Sequence, residues 1–181
     1  MVSKSICSPL DALGFVEAVL TKLYPGDTMQ CLQKALKTDS HHAHTQENGG
    51  YHYHGNPKAL FDDSDNSKAS PVIGFAADGF PIFGSYFDDN GNIRQVRSSY
   101  QLKSGSRPSG AENPGGTYDG EFDDDYEYVE GFGDLDECNG MTVNGVYGYY
   151  VTDSYPYIMG CFSGTPDHSF RKHGGRALRN R

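Results

Sequence analysis

The chain has 181 residues, of which 36% are hydrophobic and 23 are glycine, and this fits one ordinary globular domain rather than a disordered chain. No stretch approaches the roughly 18 apolar residues that a membrane span needs, so we expect no membrane partner. The net charge is −9, and the window between Arg107 and Arg171 holds 13 acidic residues but no lysine or arginine. Such a charge pattern disfavours a nucleic-acid partner.

The N-terminal part of the chain is predicted to be helical. Residues 9–24 place leucine and valine at helical spacing, and residues 28–37 repeat that pattern over a shorter length. After residue 38 the helical periodicity disappears and turn signals recur every eight to twelve residues. The predicted organisation is a helical N-terminal segment (1–38), a β-rich domain (39–166) and a basic tail (167–181).

Short strands and tight turns are predicted throughout the β-rich domain. Residues 72–76 and 146–151 have the valine, isoleucine and tyrosine content of strands. Asn90-Gly91 and Asn144-Gly145 are typical of two-residue hairpin turns. We therefore expect a mainly β fold, or an α+β fold, in the form of a single compact domain of short strands and long loops.

The four cysteines carry information about disulfides and about the cellular compartment. Four cysteines allow three pairings, and we favour Cys138–Cys161 because both flank the same sheet region, with Cys7–Cys31 as a plausible second bridge. No Cys-x-x-Cys pair is present, which excludes a zinc ribbon. The N-terminus does not open a signal peptide, so either the thiols are free inside the cell or a leader has been removed.

Five of the seven histidines lie between residues 41 and 54, namely His41, His42, His44, His52 and His54. On a strand, residues two apart share a face, so His52 and His54 are expected to project together. Two imidazoles at that spacing can bind one metal ion, and imidazole suits copper and zinc. His44 is the predicted third ligand and Asp39 a candidate fourth.

The same spacing assigns Tyr51 and Tyr53 to the other strand face, where they would line or brace the site. Three protein ligands with an open position would build a catalytic metal site, and four would suggest a structural one. Without a metal, His52 or His54 would act as general acid or base, because the histidine pKa lies near neutral pH. The remaining interpretation is that these histidines are only polar or hydrogen-bonded residues.

Acidic residues supply further candidates for metal binding and for the histidine site. Six of them between residues 121 and 130 predict either a solvated loop or a calcium site of carboxylate and carbonyl oxygens. Asp136 is predicted to contact a metal-binding histidine and orient its ring without binding the metal itself. Asp78 is either the first residue of a tight turn or a carboxylate of the site.

Several ordered blocks of the chain resemble one family. The sequence resembles the YHYH-domain family over roughly residues 39–166, a largely uncharacterised and mostly bacterial family. That resemblance implies a protein that is secreted or periplasmic, and it makes metal binding through the histidines a reasonable expectation. The blocks that carry it are DSHHAHTQ (39–46), GYHYHGNP (50–57), IGFAADGFPIFG (73–84), PGGTYDG (114–120), DYEY (125–128), GDLDECNG (133–140), YPY (155–157) and GCF (160–162).

Three functions follow from these observations. The leading hypothesis is a metal-binding protein that holds copper or zinc with His44, His52 and His54. The second is an enzyme acting on a small-molecule substrate, in which the cluster performs metal-assisted hydrolysis or metal-free acid–base chemistry. The third is a binding module for sugar or protein that uses exposed tyrosines and the acidic surface.

Overall fold

The computed structural model describes residues 10–11, 39–45, 51–53, 56–57, 60–110 and 113–170. These residues form short strands and two single-turn 3-10 helices, at Asp123–Asp125 and His168–Phe170. The strands in chain order are β1 (Leu10–Asp11), β2 (Ala43–Thr45), β3 (Tyr51–Tyr53), β4 (Val72–Phe75), β5 (Pro81–Phe83), β6 (Tyr86–Asp89), β7 (Asn92–Gln95), β8 (Tyr100–Leu102), β9 (Ser109–Gly110), β10 (Asn113–Pro114), β11 (Tyr126–Tyr128), β12 (Gly140–Val143) and β13 (Val146–Tyr150).

A four-stranded sheet in the order β12-β13-β5-β4 forms the centre of the molecule. The β12–β13 hairpin closes through Asn144 and Gly145, which have φ values of 51° and 79°. Both residues tolerate positive φ, as the tight hairpin turn requires. Strand β13 then pairs in parallel with β5, which places Tyr149 beside Ile82. Both of these side chains are completely buried.

A three-stranded sheet in the order β1-β3-β2 packs onto the same core. Its residues Ala43 and Tyr53 are direct partners in the β2–β3 pair, and both are buried. They pack in one cluster with Tyr149, Val151 and Cys138. The histidine-rich strands are therefore anchored to the core through alternate residues.

A second, smaller core lies between the hairpin of β6 and β7 and the central sheet. Phe87 and Val96 pack there with Leu135 and Tyr150. The β6–β7 turn is at Asn90 and Gly91, with φ values of 55° and 90°. Arg94 of this hairpin donates two hydrogen bonds, of 2.9 and 2.8 Å, to the carboxylate of Asp134. This two-point contact fixes the hairpin against the loop that precedes β12.

The structure confirms the mainly β fold. The strands predicted over residues 72–76 and 146–151 are present as β4 and β13, and both Asn-Gly hairpins form. Cys138 and Cys161 are joined in a disulfide, as expected. Cys7 and Cys31 lie outside the described residues.

The predicted helices over 9–24 and 28–37 also lie outside the described residues, except for Leu10 and Asp11. These two residues form β1 rather than a first helical turn, because their backbone pairs with β3. Within the part of the chain that is described, no helix has the length and apolar character needed to cross a membrane.

Candidate functional site

The register of β2 and β3 brings two of the predicted ligands into line. His44 is the direct antiparallel partner of His52. Their strand neighbours Ala43 and Tyr53 belong to the core. Because successive residues of a strand alternate between faces, positions 44 and 52 lie together on the face opposite the core. His54 lies outside the described residues.

Strand β1 pairs with the other edge of β3 and adds the position of an aspartate to this row. Asp11 of β1 is paired with His52 on the side away from His44. Neighbouring strands are about 4.8 Å apart, so positions 11, 52 and 44 form one row across the sheet. Sequence reasoning did not select Asp11, because nothing in the local pattern indicates that it pairs with a strand forty residues later.

Asp39 organises the turn that leads into β2. Its Oδ1 accepts hydrogen bonds from the backbone N–H groups of His41, at 2.8 Å, and of Ala43, at 3.2 Å. Its own N–H donates to the carbonyl of Ala43 at 2.8 Å. The predicted fourth ligand is thus fixed close to the start of the histidine strand. Tyr51, the other tyrosine of the motif, is paired in register with Thr45.

His42 connects this turn to the segment that follows β3. It adopts a positive φ of 60°, and its Nδ1 lies 3.1 Å from the carbonyl oxygen of Asn56. Asn56 and Pro57 are both almost fully buried. Asn56 and Pro57 therefore anchor the segment that follows β3 in the core, in contact with His42 of the turn before β2.

The burial of Tyr53 has an electrostatic consequence. Burial raises the pKa of its hydroxyl, and the negative charge of Asp39 raises that pKa further. The phenol therefore stays protonated at neutral pH. Its ring braces the histidine strand from the core side.

Asp78 and Asp136 both bind tyrosine hydroxyls of β13. Tyr149 donates to Oδ2 of Asp78, and that same oxygen accepts the N–H of Gly164 at 3.0 Å. Tyr147 donates to Oδ2 of Asp136 at 2.9 Å. The other oxygen of Asp136 accepts the N–H groups of Cys138 and Gly140, at 2.9 and 2.8 Å.

Ser163 joins the two aspartate–tyrosine pairs into one network. Its N–H donates to the Tyr149 hydroxyl and its Oγ to the Tyr147 hydroxyl, both at 2.7 Å. Burial raises the pKa of both tyrosines well above the usual value, and their carboxylate partners raise it further. We call Asp78, Tyr149, Ser163, Tyr147 and Asp136 the tyrosine network. Its hydroxyls remain protonated and serve as hydrogen-bond donors rather than bases.

The acidic segment contains one buried carboxylate. Asp125 is completely buried, and it accepts hydrogen bonds from Arg107 on both oxygens, at 2.6 Å each. Burial raises the pKa of Asp125, but the charge and hydrogen bonds of Arg107, together with the N–H groups of Phe122 and Gly120, outweigh it, and the net pKa is below the usual value. This carboxylate stabilises the loop as an ion pair, and calcium binding elsewhere in the segment stays a prediction.

Among the side chains that the structure describes, no three His, Cys, Asp or Glu groups come together in a way that could hold a metal ion. The side chains of His44 and His52 and the whole of His54 are outside that set. What the structure contributes to the candidate site is therefore the register of the backbone positions. That register is the part of the arrangement that sequence alone could not supply.

A comparison of the sequence with models of protein families identifies the family of this chain. The family model described as YHYH protein matches residues 9–164, which is more than half of the chain and includes both sheets described above. Neither a search of curated proteins nor a search of solved structures found a match. The matched range contains the paired histidine strands, the buried Asn56 and the tyrosine network. The chain belongs to the YHYH protein family.

Proposed function

We propose that the protein binds a copper or zinc ion through its histidine cluster, with His44, His52 and His54 as ligands and Asp39 as a fourth. The observation that carries the proposal is the direct pairing of His44 with His52 on the strand face opposite the core. Directly opposed positions in an antiparallel pair have Cβ atoms about 5 Å apart. That spacing suits two ligands of one metal ion.

The chemistry of the donors favours copper or zinc. Imidazole nitrogen is a ligand of borderline softness, and a site with two or three histidines suits these ions better than magnesium or calcium. Asp11 extends the row of backbone positions on the other side of His52, and Asp39 lies in the turn before β2, so the sequence places aspartates on two sides of the histidine positions. Oδ1 of Asp39 already accepts two N–H groups, and ligation by Asp39 would use Oδ2.

The test is elemental analysis of the untagged protein before and after dialysis against a chelator, followed by reconstitution with copper or zinc. We expect about one equivalent of metal in the wild type. The double variant His52→Ala, His54→Ala should lose that metal, because it removes two ligands. His41→Ala is the matched control, since His41 lies in the same cluster but is exposed in the turn before β2.

Two outcomes would contradict the proposal. One is unchanged metal stoichiometry in the double variant. The other is a wild-type protein that takes up no metal even after reconstitution. In the second case His52 and His54 would become candidates for metal-free acid–base chemistry, and a screen for proton transfer would replace the metal assay.

If metal is bound, the number of protein ligands decides between two roles. An open coordination position would allow the ion to polarise a small-molecule substrate or activate water for hydrolysis. A closed set of four ligands would make the site structural. Displacement of a bound water by azide or cyanide, followed spectroscopically on the copper-loaded protein, distinguishes the two.

We also propose that the protein works in an oxidising compartment, as a secreted or periplasmic protein. The disulfide between Cys138 and Cys161 supports this, because disulfides persist mainly outside the reducing cytosol. Thiol counting on protein isolated under acid quench from its native source tests the proposal. A fully reduced Cys138–Cys161 pair in that sample would contradict it.

A further inference from the structure

A cavity of about 250 Å³ lies between strand β6 and the β12–β13 hairpin. A cavity of about 150 Å³ already holds a benzene ring in an apolar protein interior, so this one has room for a ring with a short chain. Most of its wall is aromatic or aliphatic, as in typical small-molecule sites. The wall residues of this kind are Phe83, Tyr86, Phe87, Val143, Val146 and Tyr150.

The aromatic part of this wall is held in place by packing and by backbone hydrogen bonds. The ring of Tyr150 stacks on that of Phe83 at a centroid distance of 5.1 Å and meets that of Phe87 edge-on at 6.4 Å. On the β6 side, the N–H of Tyr86 donates to Oγ of Ser70 at 3.0 Å, and the N–H of Ser70 donates to the carbonyl of Tyr86 at 2.9 Å. The cavity is therefore preformed.

Tyr150 contributes a hydroxyl that no described residue satisfies. The residue lines the cavity and is only 4% exposed, yet its hydroxyl forms no hydrogen bond within the described residues, unlike those of Tyr147 and Tyr149. Burial alone raises the pKa of this hydroxyl to about 12. The group stays protonated at neutral pH, and it can donate one hydrogen bond and accept another. A buried polar group of this kind points to a ligand or water that completes it.

Asp88 brings further polar groups to the same cavity. Hydrogen-bonded and non-hydrogen-bonded pairs alternate along β6 and β7, so Asp88 turns its N–H and C=O to the same outer edge of β6 as Tyr86 does. Among the described strands, β7 alone pairs with β6, and this outer edge is therefore open at Asp88. Of the described residues in the cavity wall, Asp88 alone carries a charge.

We infer that this cavity binds a small organic amine that carries one aromatic ring. The ring packs against Phe83, Phe87 and Val146, and the ammonium group donates to the hydroxyl oxygen of Tyr150 and to the carbonyl oxygen of Asp88. The carboxylate of Asp88 and the aromatic faces both favour a positive charge on the ligand. An anionic ligand is disfavoured, because the described wall contains one acid and no lysine, arginine or histidine.

This cavity is separate from the histidine cluster and does not rest on the function proposed above. Its wall comes from β5, β6, β12, β13 and the loop before β4, whereas the paired histidine positions lie on β2 and β3. The guanidinium of Arg94 lies 4.5 Å from the centroid of the Phe87 ring, and it bonds to both Asp89 and Asp134. These two carboxylates compensate its charge, so Arg94 does not repel an ammonium group in the cavity.

The test is isothermal titration of the full chain with phenethylamine as the probe, compared with phenethyl alcohol and with hydrocinnamate. We expect a Kd of about 0.1–1 mM for the amine, within the range that so small a ligand can reach. The alcohol should bind at least about tenfold more weakly, because it has the same ring but no charge. Hydrocinnamate, which carries a negative charge, should bind more weakly still.

Two substitutions test the assigned polar contacts. Tyr150→Phe should weaken amine binding by about three- to tenfold, the worth of one hydrogen bond, and should leave the urea unfolding midpoint unchanged because the hydroxyl has no partner among the described residues. Tyr128→Phe on β11, outside the cavity, is the matched control. Asp88→Asn should lower the preference for the amine over the alcohol by about threefold or more, while it keeps an acceptor for the N–H of Gly91.

A second measurement uses the wild type and does not depend on any variant folding. In a nitrogen-15 spectrum, the backbone amide signal of Asp88 should shift with phenethylamine and saturate at the Kd found by titration. The inference is overturned by absence of saturable binding, by an alcohol or a carboxylate that binds as tightly as the amine, or by a Tyr150→Phe variant that binds as the wild type does. The His52→Ala, His54→Ala variant should bind the amine as the wild type does, so failure of either site is recognised separately.

Discussion

The sheet that carries His44 and His52 and the sheet that carries Tyr147 and Tyr149 pack against one core, but they use their polar residues in different ways. In the four-stranded sheet, both tyrosine hydroxyls bind aspartates and Ser163, and the network ends at the segment held by the disulfide. In the three-stranded sheet, Ala43 and Tyr53 are buried in the core, and the histidine positions lie on the other face. Polar residues stabilise the fold in one region, whereas in the other the histidine positions lie away from the core, where the proposed metal ion would bind.

The largest effect on the free energy of unfolding is expected when the disulfide is removed, and it tests the stabilising role of the first region. Cys138→Ser with Cys161→Ser should lower the free energy of unfolding by about 2–5 kcal/mol, because the bridge closes a loop and fixes the segment that carries Ser163. Urea unfolding followed by circular dichroism measures this. Reduction of the wild type gives the matched comparison, and a variant as stable as the oxidised wild type would show that the segment needs no covalent link.

The next effect concerns a single hydroxyl of the tyrosine network. Tyr149→Phe should lower the free energy of unfolding by about 1–3 kcal/mol, since it removes one of the two hydrogen bonds to Oδ2 of Asp78 and leaves the N–H of Ser163 without its acceptor. Tyr86→Phe on β6 is the control, because Tyr86 lies outside the network. Equal effects of the two substitutions in urea unfolding would contradict the assigned role of the network.

The third effect is a loss of stability at alkaline pH. Burial and the aspartates raise the pKa of Tyr147 and Tyr149, so the folded state holds these protons more tightly than the unfolded state, whose tyrosines titrate near pH 10. The contribution of these two hydroxyls to the free energy of unfolding is fully present below about pH 10. Above that pH it is lost, by up to about 1.4 kcal/mol per pH unit for each group. Unfolding experiments between pH 8 and 11.5 measure the slope, and Tyr149→Phe should reduce it. A slope that this variant leaves unchanged would place the titrating group elsewhere.

The smallest expected effect is at the histidines themselves. In metal-free protein, His44→Gln should change the free energy of unfolding by less than about 0.5 kcal/mol, because position 44 belongs to the face opposite the core. Thermal unfolding in the presence of chelator measures this, with Ala43→Asp as the contrasting variant on the buried face. A large loss at His44 without metal would mean that the histidine stabilises the fold directly.

Much of the local structure follows from sequence alone. The Asn-Gly pairs at residues 90–91 and 144–145 specify their hairpins because few residues tolerate the positive φ that these turns require. Valine and tyrosine content indicates β13, and the cysteine positions indicate the bridge between Cys138 and Cys161. These signals are local, or depend on residue chemistry that allows few alternatives.

The composition of the histidine cluster was likewise visible in the sequence, but its arrangement was not. The pairing of His44 with His52, and of Asp11 with the other side of His52, depends on strand register, which is decided by burial of Ala43 and Tyr53 in the core. Sequence reasoning offered Asp78 and Asp136 as residues of the histidine site, and the described contacts join both to tyrosines of β13. The convergence of Asp63 and Asp153 on Asn56 spans up to 97 residues of chain. Contacts of that range are selected by packing of the whole domain, and no local pattern encodes them.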